Sequence, residues 1–274
     1  MSAEPQQIQA VFGRIIRDPA LRDRVAEDPE ATLAELGLDA RSRAGMLAAG
    51  VERLLAYHTM VHARLRRTIA SFLGPAAPPL GDERLRVEVA TWIAERGPET
   101  PYLRDVAGQF VSWARPRWEA DEALPPWLGE LAQHQITTRA LRSDPRVVGP
   151  QTEAKIDLER PIVCNPTTRV LRYRWAVHRA PVRDKKLEAE PEPFEPGHAV
   201  IGYRDAKHNP RFVELAPRSA QMFELLLAGQ TLREALFGAC EAVGETLDDE
   251  ILSITAVTLA DLVERHVLLG GGER

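Results

Sequence analysis

Arg169–His178 reads RVLRYRWAVH. Leu171, Tyr173, Trp175 and Val177 fall on one side of an extended chain, and Arg172, Arg174 and His178 on the other. That period of two predicts a half-buried strand, and it decides the fold class, because no earlier region alternates this way. Downstream, Ala199–Arg204 (AVIGYR) predicts a second strand, with Ala199, Ile201 and Tyr203 sharing a face. Arg211–Leu215 predicts a third, and Ile162-Val163 a short one. The stretch between the first two, Arg179–His198, is rich in Pro, Glu and Lys and predicts a mobile, solvated loop. Helices then return. Pro217–Ala228 carries Met222, Phe223, Leu225, Leu226 and Leu227; Thr231 and Glu234 form a capping box; Asp248–Arg265 is the last helix. Val267–Leu269 is expected to return to the sheet as an edge strand. Strands, three helices and a terminal strand make a small winged-helix-like unit.

Upstream, the pattern is helical throughout. Ile8, Val11, Phe12, Ile15 and Ile16 recur at helical spacing. Asp18-Pro19 and Asp28-Pro29 each set an N-cap acceptor before a proline at the first helical position, and Gly37 suits a left-handed cap. One long helix is expected from Ala40 to Phe72, then Glu83–Glu95, Pro101–Trp118 and Pro126–Leu141. Ser143–Ala154 reads as a linker. The expectation is an α+β chain: an all-α helical domain over 1–145, then a small α/β recognition domain over 155–274.

Composition narrows the function classes. The 274 residues hold 35 Lys+Arg against 40 Asp+Glu, a net charge of -5, with 2 Cys. Two cysteines form neither a disulfide framework nor a four-thiolate zinc site. A net acidic chain lacks the basic footprint of a nucleic-acid binder, so nucleic acid is not the expected partner. Met1–Gln9 has no basic or apolar signal region, and no apolar run approaches the roughly 20 residues needed to span a bilayer. A cytoplasmic chain without a membrane partner is the expectation.

Few residues suggest chemistry. His58 and His62 are four apart on a helix, a spacing that can hold a metal, but YHTMVHARLRR supplies no carboxylate beside them. A helix surface or interface is the preferred reading, and no metal site is assigned. Arg64, Arg66 and Arg67 fit either surface charge pairing or a docking patch for an acidic partner. Trp118 or Trp127, near a loop-like stretch, could anchor a contact, while the other Trp residues read as core. Cys164 and Cys240 read as buried small hydrophobes, and Gly270-Gly271-Gly272 as a terminal tail. No phosphate loop, dinucleotide fingerprint or nucleophile elbow occurs, so no catalytic residue is assigned.

Longer stretches carry a family resemblance. LLAYHTMVHARLRRTIASFLGP (54–75), GPETPYLRDVAGQFVSWARPRW (97–118) and PPWLGELA (125–132) resemble the N-terminal domain of the HvfC/BufC family. HAVIGYRDAKHNPRFVELAPRSAQMFELLLAGQTLREAL (198–236) is similar to the C-terminal part of that family and of its methanobactin relative MbnC. The resemblance implies a partner protein of multinuclear non-haem iron oxidases that modify cysteines in ribosomally made peptides (RiPPs). Such a partner binds the precursor's leader and presents its core. Iron is then expected in a TIM-barrel oxidase, and no cofactor in this chain. Two departures stand out. DPALRDRVAEDPEATLAELGL (18–38) extends the family minimum and also resembles leader segments of nitrile-hydratase- and Nif11-like precursors, although ordinary helices are the preferred reading. After PWLGELA, Gln133, His134 and Gln135 stand where the family often has an acid.

On this reading a leader adds as a strand to a sheet edge, where backbone groups supply affinity and alternate side-chain pockets supply register. The resemblance assigns that edge to Ala199, Val200, Ile201, Tyr203 and Arg204. Phe223 and Leu226, or the last helix, form the groove wall, and Arg172 or Arg204 pairs with leader acids. Tyr57, His58, His62 and Arg64 would dock the oxidase. The alternative is a DNA-binding regulator using the winged-helix-like unit. Its candidate helix, Thr231–Val243, has Arg233 as its only strong cation and carries Glu234 and Glu241.

Overall fold

The early helices begin where an aspartate can cap them. Asp18 Oδ1 accepts from the amides of Ala20 and Leu21, Asp28 from Ala31, and Asp39 from Ser42. Such caps satisfy amides that have no partner within the helix. A computed structural model describes residues 5–272, so the opening stretch Met1–Gln9 lies partly outside the described residues. The chain divides into two units at Gly129/Glu130.

The first unit is helical: α1 (Pro5–Arg17), α2 (Pro19–Glu27), α3 (Pro29–Glu35), α4 (Ala40–Ala48), α5 (Val51–Leu73), α6 (Ala77–Leu80), α7 (Asp82–Glu95) and α8 (Leu103–Glu119). The expected helix from Ala40 to Phe72 is two helices. Gly50 at φ 93° separates them, a left-handed backbone that favours glycine and that an α-helix cannot contain. Val11, Ile15, Val25, Leu33 and Leu54 build one core cluster. In a second cluster Phe110 sits within 6 Å of Trp92, Trp113 and Trp118, ring centre to ring centre. Helix α8 continues through Pro116, so Trp118 is buried, and its indole N–H donates to Glu88 at 2.6 Å. Trp127 is also buried, so neither tryptophan is an exposed anchor.

The second unit holds most of α9 (Leu128–Arg142), then β1 (Ile162–Cys164), β2 (Arg169–Leu171), β3 (Val182–Arg183), β4 (Lys186–Leu187), β5 (Ala199–Arg204) and β6 (Pro210–Leu215). After these come α10 (Pro217–Leu227), α11 (Leu232–Val243), α12 (Asp249–Glu264) and β7 (Leu268–Gly271). The fold is α+β. Sequence periodicity puts the change of domain after residue 145, whereas α9 goes with the second unit. The reason is packing: His134 of α9 lies 4.6 Å from the Phe212 ring, and a Cβ on Gly202 would touch Leu141.

The strand read at Arg169–His178 stops at Leu171. Its partner β5 begins at Ala199, so the antiparallel ladder runs out at the Leu171–Val200 pair. Beyond it the backbone pairs elsewhere: Phe194 N–H donates to Arg174 O and Ala176 N–H to Glu192 O. The loop Arg179–His198 is not featureless. It carries the β3–β4 hairpin, turned at Asp184 and Lys185, and Phe194 is buried against Ala176 and Val200. The terminal strand does not join the main sheet. β7 pairs antiparallel with β1 in a sheet of two, while β2, β5 and β6 form a sheet of three in the order β2-β5-β6.

Candidate functional site

The order β2-β5-β6 corrects the expected peptide edge. β5 is the central strand, paired on one side with β2 and along its whole length with β6. Its backbone is therefore not an edge open to a further strand. Ala199, Val200, Ile201, Tyr203 and Arg204 are all buried, and so are Phe223 and Leu226 of α10. Ala199, Ile201, Tyr203, Phe223 and Leu226 belong to one core cluster, and Val200 packs on the opposite face with Ala176 and Phe194. A peptide cannot reach these side chains without opening the core. The two cations proposed for leader acids are also engaged. The Arg204 guanidinium donates to the main-chain carbonyls of Asp144 and Arg146, tying the supposed linker to the sheet. Arg172 bonds Glu224 at 3.0 Å and the Gly197 carbonyl at 2.9 Å.

One apolar surface that the unit leaves exposed is on α12. Its stretch Ile251–Ala260 contains no charged residue. Ile251, Thr255, Leu259 and Leu262 face the core, while Leu252, Ile254 and Val257 are exposed, Val257 at 69%. A groove of about 670 Å³ runs beside it, lined by Ile156, Leu259, Val263 and His266 among others. Its other wall is the chain's own segment 151–156, which lies on β7. Thr152 N–H donates to Leu269 O, Gly271 N–H to Ala154 O at 2.9 Å, and the Gln151 amide to Val263 O at 2.8 Å. The glycines of the supposed tail make this approach possible. A Cβ on Gly270 would collide with Thr152 Oγ1, and one on Gly271 with the Lys155 carbonyl.

Residues 165–263, from Asn165 before β2 to Val263 on α12, match the HvfC C-terminal domain family. The C-terminal unit is HvfC-like. Comparison with curated proteins finds no match. An HvfC-like C-terminal domain suggests a partner protein of a multinuclear non-haem iron oxidase system. Asn165, at the start of the matched stretch, is buried, and its amide donates to Arg204 O and His266 O at 3.0 and 3.1 Å.

Two residues of α9, Glu130, which sequence reading did not single out, and His134, noted only as a departure from the family pattern, tie that helix to the chain just after β2. Glu130 is buried and accepts from the amides of Arg174 and Trp175 at 2.8 and 3.1 Å and from Arg174 Nε at 2.8 Å. His134 is buried, with Nδ1 3.0 Å from the Tyr173 hydroxyl. Burial, with a smaller contribution from His178, lowers its pKa to about 4. His178 is lowered by burial as well, against the pull of Glu214, whose carboxylate lies 2.8 Å from Nε2. The Arg179 guanidinium on that carboxylate holds Glu214 down to about 2.

The docking candidates of the helical unit separate into two sets. Tyr57 and Arg64 are exposed on α5. His58 and His62 are half-buried and stacked, 4.2 Å between ring centres, with His62 Nε2 2.9 Å from the Ile16 carbonyl. Burial first, then His62 and Arg22, lowers the His58 pKa to about 4. Burial likewise raises the Cys164 thiol to about 11 and moves Cys240 upward, the direction that suppresses thiolate chemistry. Among the described residues, no group of three or more His, Cys, Asp or Glu could hold a metal ion, and no helix is long and apolar enough to cross a membrane.

Proposed function

We propose that this chain is the non-catalytic partner subunit of a TIM-barrel multinuclear non-haem iron oxidase. It binds the leader of a ribosomally made precursor and presents the cysteine-containing core, and the iron is carried by the oxidase. The observation that supports this reading is the exposed apolar side of α12 within the region matched to the HvfC C-terminal domain. Exposed apolar side chains beside a groove on the same helix are the kind of surface that receives a partner. Because β5 is central, leader binding moves from that strand to α12. Apolar leader side chains pack on Ile254 and Val257 and enter the groove at Leu259 and Val263. A disordered leader that orders on binding gives micromolar-range affinity. The helical unit meets the oxidase through the Tyr57 and Arg64 face of α5, with His58 and His62 supporting that face from within.

Co-expression with a multinuclear non-haem iron oxidase and a candidate precursor peptide, followed by size-exclusion chromatography, tests the proposal. All three chains are expected to co-elute. Val257→Asp sets a charge on the apolar face and should release the precursor while retaining the oxidase. Failure of the oxidase to co-elute, or retention of the precursor by the Val257→Asp variant, would sink the reading.

A further inference from the structure

The helical unit carries an open groove of about 880 Å³ between α1, α4 and α5. Its walls include Ile8, Phe12, Ile16, Met46 and Leu54. Only two of its lining residues are charged, and both are arginines, Arg41 and Arg53. Both are exposed and form no ion pair among the described residues, whereas Arg43, next but one on α4, is bonded to Glu30 at 2.7 Å. The apolar surface extends past the groove along α5. Arg53, Tyr57, Met60 and Arg64 stand at i, i+4, i+7 and i+11, hence on one helical face. All four are exposed, Met60 at 63%. Two large apolar residues are thus bracketed by two cations.

We infer that this groove docks an amphipathic helix of a partner polypeptide, apolar along its buried stripe and acidic at its margins. The first unit offers no strand edge among its described residues. An extended peptide in an apolar groove between helices would leave buried N–H and C=O groups unpaired, each at a cost of roughly a few kcal/mol. A helix satisfies its own backbone and presents side chains at the spacing the groove repeats. The acidic margin follows from the rim charges. A second copy of this chain offering the same face would set arginine against arginine, which disfavours self-pairing. The inference deepens the docking half of the proposed function and rests on that reading only for the identity of the partner.

The test uses the full chain and two synthetic helical peptides, so it needs neither oxidase nor precursor and can fail independently of them. Both peptides carry the same leucine stripe, one with Glu at its margins and the other with Lys. By fluorescence anisotropy the Glu peptide should bind at least about tenfold more tightly than the Lys peptide, a preference that shrinks with added salt. Arg53→Glu should remove that preference. Gly13 and Gly45 line the groove, and a Cβ on either meets nothing within 4 Å. Gly45→Phe should therefore fill the groove and abolish binding, while the melting temperature is maintained, since replacing an unstrained helical glycine does not destabilise a helix. Equal binding of the two peptides, or undiminished binding to a folded Gly45→Phe variant, would overturn the inference. So would self-association of the protein that Gly45→Phe abolishes, because it would assign the groove to a second copy.

Discussion

At the scale of single residues, burial governs the chemistry of this protein. Glu130 shows why local sequence understates a residue. Nothing in PPWLGELA marks one glutamate as the acceptor for two successive amides more than forty positions away, since that role exists only once α9 packs behind the sheet. His134 has a measurable consequence. The unfolded chain takes up a proton near the ordinary value of 6.5, and the folded chain only near 4. Below 6.5 the unfolded state therefore binds more protons. The contribution of the neutral imidazole is complete above 6.5 and declines by about 1.4 kcal/mol per pH unit as pH falls toward the folded value. Urea midpoints are expected to drop between about pH 7 and about pH 5, and His134→Gln should flatten that dependence. An unchanged slope in the variant would assign the dependence to His58 or His178 instead. Arg204 and Arg172 carry the same lesson with the opposite charge. Alternation predicts outward strand arginines, but the fold buries one against main-chain carbonyls and pairs the other with Glu224.

At the scale of elements, the helix starts were legible because their signals are local. An aspartate before a proline or small residue caps a helix whatever surrounds it, and Thr231 and Glu234 form the reciprocal capping box read from their spacing. Strand positions were legible too, since β5 and β6 lie within a residue of the periodicity reading. Their order was not, because pairing order depends on which strands meet across long loops. The glycines of β7 are the clearest misreading. Gly270 and Gly271 are buried and lie under residues 152–155. Gly271→Val is expected to push that segment off β7, with loss of amide protection at Thr152 and a destabilisation of about 1–3 kcal/mol from overpacking. Hydrogen exchange and thermal melting would show it. Retained protection at Thr152 would mean that the segment yields without loss of pairing.

At the scale of the whole molecule, two units carry two different surfaces: an apolar α12 on the HvfC-like domain and an arginine-rimmed groove on the helical unit. The rival reading, a DNA-binding regulator, makes its prediction at this scale. Arg233, the strong cation of α11, is bonded to Glu159 at 2.5 Å, and α12 bears Asp249, Glu250, Asp261 and Glu264. With a net charge of -5, no salt-dependent retarded band is expected on duplex DNA, and such a band would restore the regulator. The sequence by itself determined the α+β class, the capped helices and the places where the chain runs extended, because caps and periodicity act over a few residues. Tertiary structure alone decided that β5 is central, that α9 goes with the second unit, that the terminal glycines are buried and that α12 keeps an apolar face outward. Those outcomes depend on which distant segments exclude water from one another, and no local pattern encodes that choice.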